Sequence, residues 1–193
     1  MATTSNSQSR ELLLSSLSQH YRRSPEQREQ LYTIVAGTSP LSLRVIDWFV
    51  THYSRSKNII YWIDDKNKAL IEDFPSYGGQ DLRKFNLHLE YHAQLQSYTK
   101  MYFDPFRRHE KITFVLEKTP MVSITSTVGQ LNFFRWALQN GVIEYITRHL
   151  HDIEENMSSF QNAVKNKEKP KKRTVSCKPV NTFTHMQCFV KFD

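Results

Sequence analysis

Between positions 165 and 173 the chain places six cations in nine residues: Lys165, Lys167, Lys169, Lys171, Lys172 and Arg173. The plainest chemistry for such a run is phosphate neutralisation, in which each contact releases counterions and adds salt-dependent affinity without reading sequence. The same run also suits a nuclear-import address or a solvated tether, and the residues alone leave all three uses open. A second constellation runs from Lys100 to Lys111 (KMYFDPFRRHEK). Tyr102, Phe103 and Phe106 surround an Asp104-Pro105 turn, followed by the adjacent Arg107 and Arg108. Rings beside guanidinium groups are the parts of a surface that stacks bases and meets phosphates. The competing use has the rings locking a rigid turn into the core and both arginines solvated. That use is the better supported of the two, so Arg107 and Arg108 stand as secondary candidates.

Other reactive groups lack the spacing that chemistry needs. His88 and His92 are four apart, but the expected break between a strand and a helix falls among them, and no zincin Glu accompanies them. His149 and His151 are two apart in an expected helix, so they point to different faces. Cys177 and Cys188 are too few for a disulfide framework and lack metal-ligand spacing. A bridge between them across a hairpin runs against the lack of a secretory signal. No Gly-x-Ser-x-Gly turn is present, and with 5 Gly in all there is no phosphate cradle; Gly78-Gly79 has no Lys-Ser/Thr after it. The carboxylate pairs Asp64-Asp65 and Glu154-Glu155 fall where a turn and a helix face would put them. We therefore read the chain as non-enzymatic, with no metal and no cofactor.

Charge sharpens this picture. The net +7 looks like a property of the whole protein, yet residues 165–193 hold eight basic and two acidic side chains, leaving 18 basic and 17 acidic elsewhere. A nearly neutral body with a basic segment predicts a localised anion contact rather than a basic surface. No apolar run approaches the roughly 20 residues of a membrane span. The polar stretch Met1 to Arg10 has neither a signal-peptide core nor Gly at position two. The expected setting is cytosol or nucleus.

The elements that must position these groups follow from periodicity. Leu12, Leu13, Leu14, Leu17 and Tyr21 have helical spacing. Ser24-Pro25-Glu26 starts a second helix that stops at Gly37, and Ser39-Pro40 repeats the start signal for a third, closing near Tyr53. Ile59 to Ile63 reads as a strand, and Phe85, Leu87, Leu89 and Tyr91 alternate as another. A helix is expected over 92–103, a strand over 111–117 and a partner over 121–125. Leu131 to Leu138 leads to a break at Asn140-Gly141, then one amphipathic helix runs from Val142 to about Phe160. Thr182 to Phe192 alternates again. The expected fold is α+β: N-terminal helices, then a mostly antiparallel sheet backed by helices at 130–160. The expected organisation is a disordered 1–9, a domain over 10–163, a basic linker over 164–174, and a C-terminal strand within 175–193 that returns to the sheet.

Three stretches carry a resemblance: Asp47 to Trp62 (DWFVTHYSRSKNIIYW), Tyr91 to Ile112 (YHAQLQSYTKMYFDPFRRHEKI) and Thr125 to Ile146 (TSTVGQLNFFRWALQNGVIEYI), with the closing Val190-Lys-Phe-Asp193. With them the chain resembles a conserved protein family of the nucleocytoplasmic large DNA viruses, the iridovirus, marseillevirus and mimivirus groups. The resemblance spans most of residues 45–193 and none of the first 40. Relatives carry a Cys between the second Phe and the Arg pair; here Arg107 follows Phe106 directly, so no thiol chemistry is carried over. It implies a viral protein made in infected cells, in host cytoplasm, nucleus or virion, and assigns no catalytic residue. The candidate partners are nucleic acid, through the basic run, and other viral or host proteins, for which the run would be only a tether.

Overall fold

A computed structural model describes residues 2–64, 66, 69–73, 82–118 and 121–168. The fold is α+β, as expected, with helices predominating. The N-terminal helices are α1 (Ala2–Arg23), α2 (Pro25–Ala36) and α3 (Leu43–Trp48), which passes through a π turn (Phe49–Tyr53) into α4 (Ser54–Lys57). Strands β1 (Ile60–Asp64), β2 (Leu70–Ile71) and β3 (Leu82–Asn86) precede α5 (Leu87–Tyr102). The hairpin β4 (Ile112–Lys118) and β5 (Met121–Ser126) leads into α6 (Val128–Gln139), α7 (Val142–Arg148) and α8 (Leu150–Glu168). Among the described residues no helix is long and apolar enough to cross a membrane.

Several boundaries obey their expected signals. Pro25 opens α2, and Gly37 closes it at φ 76°, the left-handed conformation that a Cβ would strain. Asn140 and Gly141 (φ 69°) separate α6 from α7. Other boundaries correct the expectation. α1 already begins at Ala2, so residues 2–9 are helical rather than a disordered tail; once Leu17 and Tyr21 are buried, extending the helix backwards is cheap compared with nucleating it. The third helix starts at Leu43, because Ser42 caps the Val45 amide (3.2 Å) while Ser39 is spent on Leu41. The strand expected over 85–91 ends at Asn86, whose side chain accepts from the Leu89 amide at 3.2 Å and starts α5. Leu87 and Tyr91 are buried and Leu89 is 65% exposed, the i, i+4 signature of a helix hidden inside a period-two pattern.

The strands form two small antiparallel sheets, β2-β1-β3 and β4-β5, instead of one. The first is backed by α6 and α7, as expected of helices at 130–160: Tyr61 lies 5.0 Å from Phe85 and 5.5 Å from Tyr145, and Phe85 lies 6.0 Å from Trp136. The second rests on the N-terminal helices, with Tyr21 edge-on to Phe114 and Arg28 paired with Glu117 at 3.6 Å. Between them runs α6, whose Val128 to Phe134, Trp136 and Ala137 are all buried; a helix covered over most of its circumference is a core helix. Its first turn lies so close to the end of α5 that a Cβ on Gly129 would stand 2.8 Å from the Met101 carbonyl. Tyr21 donates to the Leu131 carbonyl (2.8 Å) and ties α1 to this helix.

The single helix expected over 142–160 is two. His149 leaves helical geometry (φ −112°, ψ 21°) and turns its Nε2 to Glu72, 2.7 Å away. α8 then continues through Lys165 and Lys167 to Glu168, so the first part of the expected 164–174 linker is helix. Nothing between Val164 and Glu168 breaks a helix, and the first helix-breaking residue in the sequence there is Pro170. Lys169, Lys171, Lys172, Arg173, both cysteines and the expected 175–193 strand lie outside the described residues.

Candidate nucleic-acid interface

α8 lies against α3 and the π turn. Ile153, Phe49 and Val50 are fully buried there and seal the floor of the packing. Above that floor the two elements diverge into a cleft of about 470 Å³, lined by Arg44, Asp47, Trp48, His52, Phe160 and Lys165 with Met157, Gln161 and Val164. That volume lies within the roughly 300–1,000 Å³ of small-ligand clefts. π turns inside helices recur at functional sites, and this one places His52 parallel to the Trp48 indole, 4.4 Å between centroids and 6° between planes. Phe160 crosses from α8 to lie 4.9 Å from Trp48 and 6.0 Å from His52, yet stays 50% exposed.

The polar groups of the cleft are set by their neighbours. Thr51 donates its hydroxyl to the Asp47 carbonyl (2.7 Å), so its oxygen is left to accept the Nδ1–H of His52, also at 2.7 Å. In the neutral ring a proton on Nδ1 leaves Nε2 as the acceptor. Trp48 Nε1 is shielded from solvent and has no hydrogen-bond partner among the described residues. Burial, and then the Asp104 carboxylate, raises the Asp47 carboxyl above its ordinary range, with His52 and Lys100 opposing. Among the described residues Arg44 and Lys165 pair with no carboxylate. The cleft therefore offers ring faces, two acceptors and two cations that no described carboxylate pairs.

Of the residues singled out in sequence, Lys165 is exposed and belongs to this cleft, and Lys167 follows on the same helix. Arg107 and Arg108 do not line it. Asp104 Oδ1 accepts from the Phe106 amide (2.8 Å) and the Pro105 carbonyl accepts from Gln130 Nε2 (2.9 Å), which locks the turn while Phe103 is fully buried. Arg107 then pairs with Glu110 at 3.4 Å, and the Arg108 guanidinium lies 4.2 Å over the Phe106 ring. The turn serves the core and leaves Arg108 as an exposed cation on an aromatic face. His88 and His92 both fall on α5 rather than astride a break, their rings 4.5 Å apart. Among the described residues no three potential metal ligands converge. Sequence reasoning missed Trp48, His52 and Phe160, although Met157, Phe160 and Val164 continue the helical spacing beyond position 160.

Comparison with known proteins bears on identity alone. Uncharacterized protein L507 of Acanthamoeba polyphaga mimivirus is 39% identical over 139 residues, covering 70% of this chain and 48% of the relative. The chain thus spans about half the length of the curated relative it matches. No solved structure matches it. A family model, described as a family of unknown function (DUF7197), matches residues 5–185, nearly the whole sequence, and the chain belongs to that family.

Proposed function

We propose that this chain is a non-enzymatic accessory or virion-core protein of a large DNA virus that holds single-stranded nucleic acid. Bases stack in the α3–α8 cleft, and phosphates meet Lys165, Lys167, Lys169, Lys171, Lys172 and Arg173. The observation that carries the reading is Phe160, a half-exposed ring against Trp48 and His52, borne on the helix that leads straight into the lysine run. Stacking on exposed rings tolerates any base, and adjacent cations track the backbone. Asp47 and His52 Nε2 supply acceptors for exocyclic amino groups, while Arg44 adds a cation on the opposite wall. Arg107 and Arg108 are secondary contacts. The work takes place in the infected cell, in cytoplasm or nucleus, or in the particle.

Fluorescence anisotropy of a labelled oligothymidylate, titrated over a range of salt, tests this. Phe160→Ala is expected to weaken binding by about 1–3 kcal/mol, roughly 5- to 150-fold. Replacing the six cations of 165–173 by Ser is expected to flatten the salt slope by up to about 0.7 per lost contact. Affinity and slope unchanged in both variants would overturn the proposal. A protein partner in the same cleft is the competing reading, favoured by the exposed Phe160 and Val164; it predicts a discrete protein retained after nuclease treatment and lost with Phe160→Ala.

A further inference from the structure

A second hollow, away from the α3–α8 residues, has a different character. α1, α5 and α6 enclose about 560 Å³ with no carboxylate among the lining residues and with two guanidinium groups, Arg23 and Arg135. Arg135 rises from the buried core helix and is held by two neutral acceptors, Asn132 Oδ1 at 2.7 Å and Ser16 Oγ at 2.9 Å. A guanidinium has five N–H donors; two are spent in fixing its direction and none meets a carboxylate among the described residues. Arg23 makes no ion pair there either. His20 also lines the hollow, and its Nε2 is shielded from solvent with no hydrogen-bond partner within normal geometry among the described residues. Burial, and then the charge of Arg135, holds the His20 imidazole below its ordinary range, while Gln27 opposes. Burial and the Arg135 charge thus both disfavour a proton on this ring, and no carboxylate lines the hollow.

A fixed, unpaired arginine in a half-enclosed hollow is built to receive a bidentate oxyanion. The rest of the lining favours something larger than a bare anion. Tyr98 from α5 and Trp136 from α6 present aromatic surface, and Gln94 and Gln139 present amides able to read donor and acceptor edges. We propose that this hollow binds a small phosphorylated ligand of the nucleoside-phosphate class, its phosphate on Arg135 and Arg23 and its planar group between Tyr98 and the amides. None of these residues lines the α3–α8 cleft, so the inference stands or falls independently of the function proposed above.

Isothermal titration of the full chain with adenosine monophosphate, inorganic phosphate and adenosine separates the contributions. The nucleotide is expected to bind at least tenfold more tightly than either fragment. Arg135→Gln is expected to weaken it about tenfold to a hundredfold, the scale of a lost charged hydrogen-bonding group. Arg23→Gln lies on an exposed helix end and is expected to weaken it several-fold without touching the core. Phe160→Ala, in the other cleft, should leave nucleotide affinity unchanged. Equal affinity for phosphate and nucleotide would overturn the planar-group assignment. Unchanged nucleotide affinity in folded Arg23→Gln, or no nucleotide binding by the wild-type chain at millimolar concentration, would overturn the site.

Discussion

The two clefts share a size range and no lining residue, and they differ in what surrounds their titratable groups. In the α3–α8 cleft a carboxyl, Asp47, faces another carboxylate, Asp104, and is pushed up. In the α1–α5–α6 hollow an imidazole, His20, faces Arg135 and is pushed down. Each group is held toward its neutral form by burial and then by a like charge, but the fields have opposite sign. The aromatic cleft offers faces and acceptors with cations at its edge, which suits bases whose phosphates pass outside. The arginine hollow carries its cations along its own lining, which suits a phosphate that settles into it. The contrast shows that a nearly neutral body need not be electrostatically featureless.

The change expected to disturb this contrast most is Gly129→Ala. The added methyl would press on the Met101 carbonyl and the Phe103 amide, backbone atoms that cannot swing aside, at 2.8 and 3.3 Å. A cost of about 1–3 kcal/mol follows, read as a fall of several degrees in Tm. Because α6 supplies Arg135 and Trp136 to the hollow and lines none of the aromatic cleft, nucleotide affinity should suffer while oligonucleotide affinity holds. A parallel loss in both would mean the two sites are not separable.

Tyr21→Phe is the gentler version. It deletes the buried bond from α1 to the Leu131 carbonyl, worth about 0.5–1.5 kcal/mol by chemical denaturation. It should loosen the α1 wall of the hollow and spare the other cleft. The smallest effect is in the pH dependence. As pH falls below 6.5, the unfolded chain takes up a proton on His20 that the folded chain resists, so stability falls with falling pH until the folded pKa is passed. As pH rises above 3.8, the unfolded chain releases the Asp47 proton first, so stability falls with rising pH until its raised folded pKa is passed. His20→Gln and Asp47→Asn should each flatten one of these opposed slopes in denaturation curves taken across pH. Matching slopes in wild type and variants would dissolve the electrostatic contrast.

Sequence made the local punctuation legible and the tertiary pairing much less so. Pro25 and Gly37 bound α2 as expected, the hairpin of β4 and β5 lies where alternation put it, and Asn140-Gly141 breaks α6 from α7. These are backbone preferences, local by nature. Phe85 to Tyr91 misled because its alternating pattern also contains an i, i+4 pair, and the Asn86 cap decided between the two periods. The continuation of α8 was obscured by its charge: polar composition reads as linker until an apolar residue such as Val164 is noticed in register. Trp48 and Phe160 meet only because two distant helices cross, and no spacing in either segment announces that. Arg107 and Arg108 drew attention by composition, but their surroundings turned out to be a locked turn.

The bond between Tyr21 and Leu131 joins residues 110 positions apart. During synthesis α1 therefore emerges long before the helix that covers Leu17 and Tyr21. Its apolar face has to wait, exposed, while the 110 residues up to Leu131 are made. At about 5–20 residues per second that interval lasts several seconds, ample time for an uncovered leucine stripe to meet other nascent chains. Ser15, Ser16, Ser18 and Gln19 flank that stripe, so the apolar face that α6 later covers is a narrow one.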